Sequence, residues 1–262
     1  LREQAHEALK KPTAMNQWLR YHCNVKTASS EKAIRPGLWT ENAGELRPLE
    51  NRVSYGGFDL GRANDWAAIA LVFPVRDWNE DKEADETTYD LIAHCFSCEE
   101  GAIDWRREPY SEWRRSGLVT VSQGNQVDFG AVERKIIEWT RLYSTQTWDY
   151  DPTFAGQMGQ RLLNNFGIQV HMMYQTCRNY NEPIRHMLSK LELRSVRHGG
   201  DPVLAWQAGN LTIRRNTQDE WMPDKGATTA KIDAMVAALM AFSGAIYGEG
   251  ASNYEDRGFR TL

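Results

Sequence analysis

The chain has 262 residues, 41% hydrophobic and 25% charged, with 31 Lys and Arg against 35 Asp and Glu. These are the proportions of a folded chain long enough to bury a full core. The slightly negative balance excludes a globally cationic nucleic-acid coat but leaves room for a local basic groove. No run approaches the roughly 18 apolar residues of a membrane span, and no N-terminal stretch has the charged-then-apolar form of a signal peptide.

In chain order, residues 1–21 could be helical, and residues 27–50, rich in Ser, Pro, Gly and charge, read as a linker or arm. Order is expected to begin at Val53. Val53–Leu60, Trp66–Phe73 and Thr88–Phe96 form a three-strand antiparallel meander; the middle strand is apolar enough to be buried on both faces. Residues 76–87 are its charged loop or hairpin tip. Apolar positions at Val132, Ile136, Trp139 and Tyr143 make one helical stripe within 127–143. Then come a strand over 146–151, a helix over 154–166 closed by Gly167, a strand over 168–174 and a helix over 182–196. A hairpin is expected within 202–215 around Gly209-Asn210, and a last helix over 228–246.

The charge is uneven. Residues 76–112 hold 12 acidic and 4 basic side chains, whereas residues 178–215 hold 7 basic and 3 acidic; a polyanion should approach the second stretch. His94-Cys95-x-x-Cys98 resembles half a zinc site, but no second pair completes it, so the cysteines read as buried or free thiols. Trp105, Trp113, Trp139 and Trp206 read as core packing.

Three acids occupy awkward places. Asp59 lies in the first strand, Asp151 ends the fourth, and Asp233 opens an apolar helix. Singly, they could be a turn acceptor, an Asx turn before Pro152 and a first-turn helix acid. Together they would repel unless a cation joined them, and hard divalent ions are the natural partners of carboxylate oxygens.

Phe58-Asp59-Leu60-Gly61-x-x-x-Asp65-Trp66-x-Ala68 and Tyr150-Asp151-Pro152-x-x-Ala155 resemble the nuclease domain of the large terminase subunit of tailed phages. So do Gly199-Gly200-x-Pro202-Val203-Leu204-x-Trp206-x-x-x-Asn210, Pro223-Asp224-Lys225 and Lys231-Ile232-Asp233, in order. The resemblance implies an α/β fold, a ribonuclease-H-like mixed sheet flanked by helices with an added β-hairpin. It implies a metal-dependent endonuclease that cuts concatemeric double-stranded DNA by two-metal hydrolysis, using two Mg2+ or Mn2+ ions on Asp59, Asp151 and Asp233. Asp149, two residues from Asp151 and on the same side, is a secondary ligand candidate, and so is Asp65, which reads first as shaping its turn. Lys225, Lys231, Arg194, Arg197, Arg214 and Arg215 are expected along the DNA path, although Lys225 and Lys231 read equally well as solvated surface lysines. Expected partners are DNA, the portal protein and the small terminase subunit, in host cytoplasm, with no membrane.

No G-x-x-x-x-G-K-[ST] loop is present. Residues 1–50 are therefore expected to be a linker from an ATPase outside this chain, 51–247 the nuclease domain and 248–262 a flexible tail. The competing readings are another ribonuclease-H-like nuclease (a Holliday-junction resolvase or a transposase) and a non-catalytic docking module for the portal.

Overall fold

In the computed structural model of the chain, residues 31–255 are described, apart from 36, 62–64, 80–83, 102 and 227–230. Three long strands carry the architecture: β2 (Val53–Leu60), β3 (Ala67–Asn79) and β4 (Ala84–Cys98), paired antiparallel as the expected meander. The β3 and β4 ladder continues through most of the stretch read as a charged loop; the tip, 80–83, lies outside the described residues. β6 (Ser144–Tyr150) runs parallel to β2, and β7 (Val170–Met172) parallel to β6. At the other edge β5 (Val119–Ser122) and β8 (Val196–Arg197) each pair parallel with β4, completing a seven-stranded mixed sheet. β5 and the short helix α2 (Tyr110–Arg115) fall in a stretch to which the sequence assigned no element.

Strand alternation divides the core in two. Ala67, Ile69, Leu71 and Phe73 of β3 pack with α3 (Phe129–Leu142) and α4 (Pro152–Phe166). Ala68, Ala70 and Val72 face α7 (Asp233–Glu255), together with α5 (Cys177–Glu192) and α6 (Pro202–Asn210). The helical stripe read from Val132 to Trp139 is the buried face of α3, capped by Asp128, and α4 ends as expected at left-handed Gly167. Trp66, Trp105, Trp113, Tyr110 and Trp206 form one aromatic cluster, so these tryptophans pack the core. Cys95 and Cys98 are buried free thiols; three apart on a strand, they point to opposite faces.

α7 is apolar all round and buried from Ile232 to Ala245, as a helix of that composition must be. It lies on β2, β3 and β6. The approach is close because β2 presents Gly57 to it: a Cβ there would collide with Ala237 O and stand 2.7 Å from Ala241 N.

Three expectations are corrected. Residues 202–210 form helix α6, not half a hairpin: Asp201 accepts a hydrogen bond from Leu204 N at 2.7 Å, Pro202 sits at the first turn, and Val203, Leu204, Gln207 and Ala208 make the buried stripe. The hairpin lies further on, β9 (Thr212–Arg215) with β10 (Trp221–Pro223). α5 begins at Cys177, capped by Thr176, and carries Pro183 inside it. Residues 31–50 do not read as a free arm. β1 (Glu31–Lys32) adds to β9, and α1 (Leu38–Glu41) buries Leu38 and Trp39. His198 stacks on Trp39 at 4.3 Å and shares a 2.8 Å hydrogen bond with its carbonyl. Residues 1–30 and 256–262, read as part of the arm and of the tail, lie outside the described residues, while α7 continues to Glu255.

Candidate metal centre

The C-terminal end of β2 delivers Asp59 on the face that α7 covers, because Tyr55 and Gly57 of the same parity already face that helix. Asp233 is the first residue of α7. Its placement is fixed from α6: Gln207 Oε1 accepts from Ala234 N at 2.7 Å, while its amide donates to Cys95 Sγ at 3.2 Å. Both carboxylates are 3% exposed. Lys225, just beyond β10, closes the pair, its Nζ 2.6 Å from Asp59 Oδ2 and 3.3 Å from Asp233 Oδ1. Gln175 donates to the other Asp59 oxygen at 3.2 Å.

Burial raises the pKa of Asp59; Lys225 opposes the rise, and Asp151 and Asp65 add to it. Asp233 is pushed up to about 7 by burial, against Lys225 and with Asp59 and Asp65. Burial works against the charge of Lys225, yet the two carboxylates outweigh it and hold the ammonium firmly protonated. Asp233 Oδ2 is buried without a hydrogen-bond partner. Two carboxylates thus share one cation, and the site is short of positive charge.

The parallel register Gly57–Asp149 and Phe58–Tyr150 puts Asp151 beside Asp59, one strand over. Its carboxylate turns to α4 as N-cap, accepting from Thr153 N at 3.2 Å and Thr153 Oγ1 at 2.9 Å. Asp149 lies one step deeper on the same face, its pKa pushed up to about 7 by burial, and its Oδ1 has no hydrogen bond. Asp65 bonds its own neighbour, Trp66 N, and receives Lys231. Among the described residues no three His, Cys, Asp or Glu side chains converge on one point. That departs from the expected triad: Asp59 and Asp233 converge on Lys225, and Asp151 is engaged by its cap. The oxygen-only donor set and the orphaned Asp233 Oδ2 nevertheless fit a hard divalent ion.

The expected DNA residues divide. Lys225 and Lys231 are both held by carboxylates, Lys231 largely buried and Lys225 still 40% exposed. Arg214 is exposed in β9 opposite Met222, close to Lys225 in the chain, and Arg215 packs on Trp221 at 4.6 Å and pairs with Asp219. Arg194 and Arg197 lie elsewhere. Arg197 pairs with Asp90 on β4, whereas Asp59 lies level with Cys95 through Ala68. Five residues of strand separate the two levels, about 17 Å. Sequence reasoning missed Gln175 and Gln207. Gln207, a lone polar residue on the apolar stripe of α6, was the legible signal.

The family profile "Terminase large subunit, endonuclease domain" matches residues 1–249. The chain belongs to that family, whose members are nucleases of phage DNA packaging. It is 26% identical over 267 residues to the terminase large subunit of Enterobacteria phage HK97, covering 99% of this chain and 51% of that protein. It is 24% identical over 233 residues to protein YmfN of Escherichia coli strain K12, covering 83% of this chain and 49% of that one. The crystal structure of the HK97 large terminase superposes with a TM-score of 0.72 at 24% identity, over 92% of this chain and 49% of that one. The chain therefore spans about half the length of these relatives, and its fold is the expected ribonuclease-H-like one. Among the described residues no helix is long and apolar enough to cross a membrane.

Proposed function

We propose that this chain is a metal-dependent endonuclease that hydrolyses double-stranded DNA, with Asp59, Asp151 and Asp233 as its metal-holding carboxylates. The observation that carries the reading is the cation-short pair Asp59–Asp233 under Lys225, with Asp151 alongside on the neighbouring strand. Two Mg2+ or Mn2+ ions bound there would supply the Lewis acidity that activates a water and stabilises the leaving 3′ oxygen. Asp59, central in the cluster, would hold both, with Asp151 and Asp233 on either side. Lys225, displaced from the carboxylates, has the length and charge to meet the scissile phosphate. DNA reaches this end past Lys225, Lys231 and the exposed Arg214; Arg197, level with Asp90 about 17 Å along the sheet, is expected to contribute less. In the complete terminase the ATPase, portal and small subunit would bring the DNA to the site.

The test is cleavage of linear duplex with Mg2+ or Mn2+, abolished by EDTA and by Asp59→Asn. Cutting that persists in excess chelator would overturn the metal reading. Preference for four-way junctions would favour a resolvase, and no cutting at all would leave a docking module.

A further inference from the structure

Tyr180 lies one turn inside α5, 1% exposed, its ring packed in the core beneath α7. Its Oη is buried and has no hydrogen-bond partner. A phenylalanine would fill the same volume without stranding a hydroxyl, so packing alone does not account for the tyrosine. The start of α5 lies against the acidic cluster: Gln175, next to the cap Thr176, bonds Asp59 Oδ1, and Tyr180 N bonds Thr176 O at 3.1 Å. After burial, the charges that press on the phenol are Asp59, Asp151 and Asp149, and its pKa stands well above the ordinary value. The hydroxyl therefore stays protonated and acts as a donor. One acceptor at the start of α7, Asp233 Oδ2, is also buried without a hydrogen-bond partner, whereas Asp149 Oδ1 faces His171 Nδ1 at 3.6 Å. A stranded donor and a stranded acceptor are thus left near the acidic cluster for groups that enter when the site is loaded.

We propose that Tyr180 is a positioning residue for the hydrolysis, its Oη donating a hydrogen bond to the attacking water beside Asp59 and Asp151. The proposal rests on the nuclease reading above. A donor aimed at that water fixes its direction of approach and favours its deprotonated form, so that attack sets in at lower pH.

The experiment compares wild type and Tyr180→Phe, with Mn2+ and a linear duplex. The expected result is an unchanged KM for DNA and a kcat about tenfold lower, the order of one lost hydrogen bond. The rising limb of the pH–rate profile moves to higher pH, and calorimetric Mn2+ affinity without DNA falls severalfold. In EDTA the Tm of Tyr180→Phe equals or exceeds that of wild type, since no hydrogen bond is lost. Wild-type values for kcat, pH limb and Mn2+ affinity in the variant would overturn the proposal and leave the nuclease reading intact. A Tm several degrees below wild type would overturn it by exposing a structural partner for the hydroxyl. Failure of the wild type itself to cut would overturn the nuclease reading, and this proposal with it.

Discussion

The two ends of the central sheet each bury aspartate, Asp59 on the face that α7 covers and Asp90 on the opposite face beside Phe73, and they neutralise it in opposite ways. At the end away from the metal centre, Asp90 is fully buried, and its Oδ2 receives Arg47 at 2.7 Å and Arg52 at 2.8 Å. One carboxylate there has two permanent cations supplied by the chain. At the other end, Asp59 and Asp233 divide one ammonium, with Asp151 and Asp149 adjacent. A buried charge that the chain itself satisfies is a clamp; one that it leaves under-neutralised is a request for an outside cation. The first end ties residues 47–52 to the sheet, and the second is where the proposed ions would bind.

The sharpest break of this contrast is at the acidic end. Asp59→Asn, Asp151→Asn and Asp233→Asn should each reduce metal-dependent cleavage to background while circular dichroism stays native, and in EDTA Tm should hold or rise for Asp59→Asn and Asp233→Asn, because repulsion is relieved. An active Asp151→Asn with a dead Asp149→Asn would move the fourth-strand ligand one step deeper. At the clamp end the outcome inverts. Asp90→Ala removes the carboxylate that Arg47 and Arg52 share and should cost about 3 kcal/mol, about 10 °C in Tm for a chain of this size, with the metal dependence of the folded fraction unchanged. Third, Lys225→Met removes the cation that competes for the carboxylates. Calorimetry should give Mn2+ binding about tenfold tighter, with a lower Tm in EDTA; weaker binding would make Lys225 part of the ion's support.

Smaller effects refine the picture. Arg214→Glu should raise KM for DNA about threefold and make cutting less salt-sensitive, as one lost phosphate contact would, whereas Arg194→Glu and Arg197→Glu, at the clamp end, should not. An effect of comparable size separates both ends from the body of the sheet. Burial, helped by Lys135, holds the His94 imidazole down at about 4, below its unfolded value. The folded chain therefore binds fewer protons between about pH 6.5 and 4, and His94 contributes stability above that window that is lost as pH falls through it. His94→Gln should remove about 1 kcal/mol of this acid loss, read as the difference between the two Tm–pH curves.

Much of this was legible in sequence because it is local. The apolar run of β3 and the stripe of α3 follow from period, and Asp59 and Asp151 are marked by their places at strand ends. The failures are long-range or competitive. Gly209-Asn210 carries turn chemistry, yet the cap of Asp201 and the first-turn Pro202 won, and the stretch became a helix. Residues 31–50 have the composition of a linker but are ordered by β9 and by His198, far along the chain. Starting α5 at Glu182, after its cap, concealed Tyr180. The resemblance put Lys225 near the metals, but nothing local to it announces a direct bond to Asp59, 166 residues away.

The absent side chain of Gly57 acts as a caliper. It sets how far α7 stands from β2, and thereby the gap between an oxygen on the strand and an oxygen on the first residue of the helix. Mg2+ needs ligand distances of about 2.0–2.1 Å and Ca2+ about 2.3–2.6 Å. A methyl group at Gly57 would lift the helix and widen that gap, touching no charge. If the proposed ions bind there, discrimination by ionic radius would rest on a backbone contact in the hydrophobic core, two residues along the strand from Asp59.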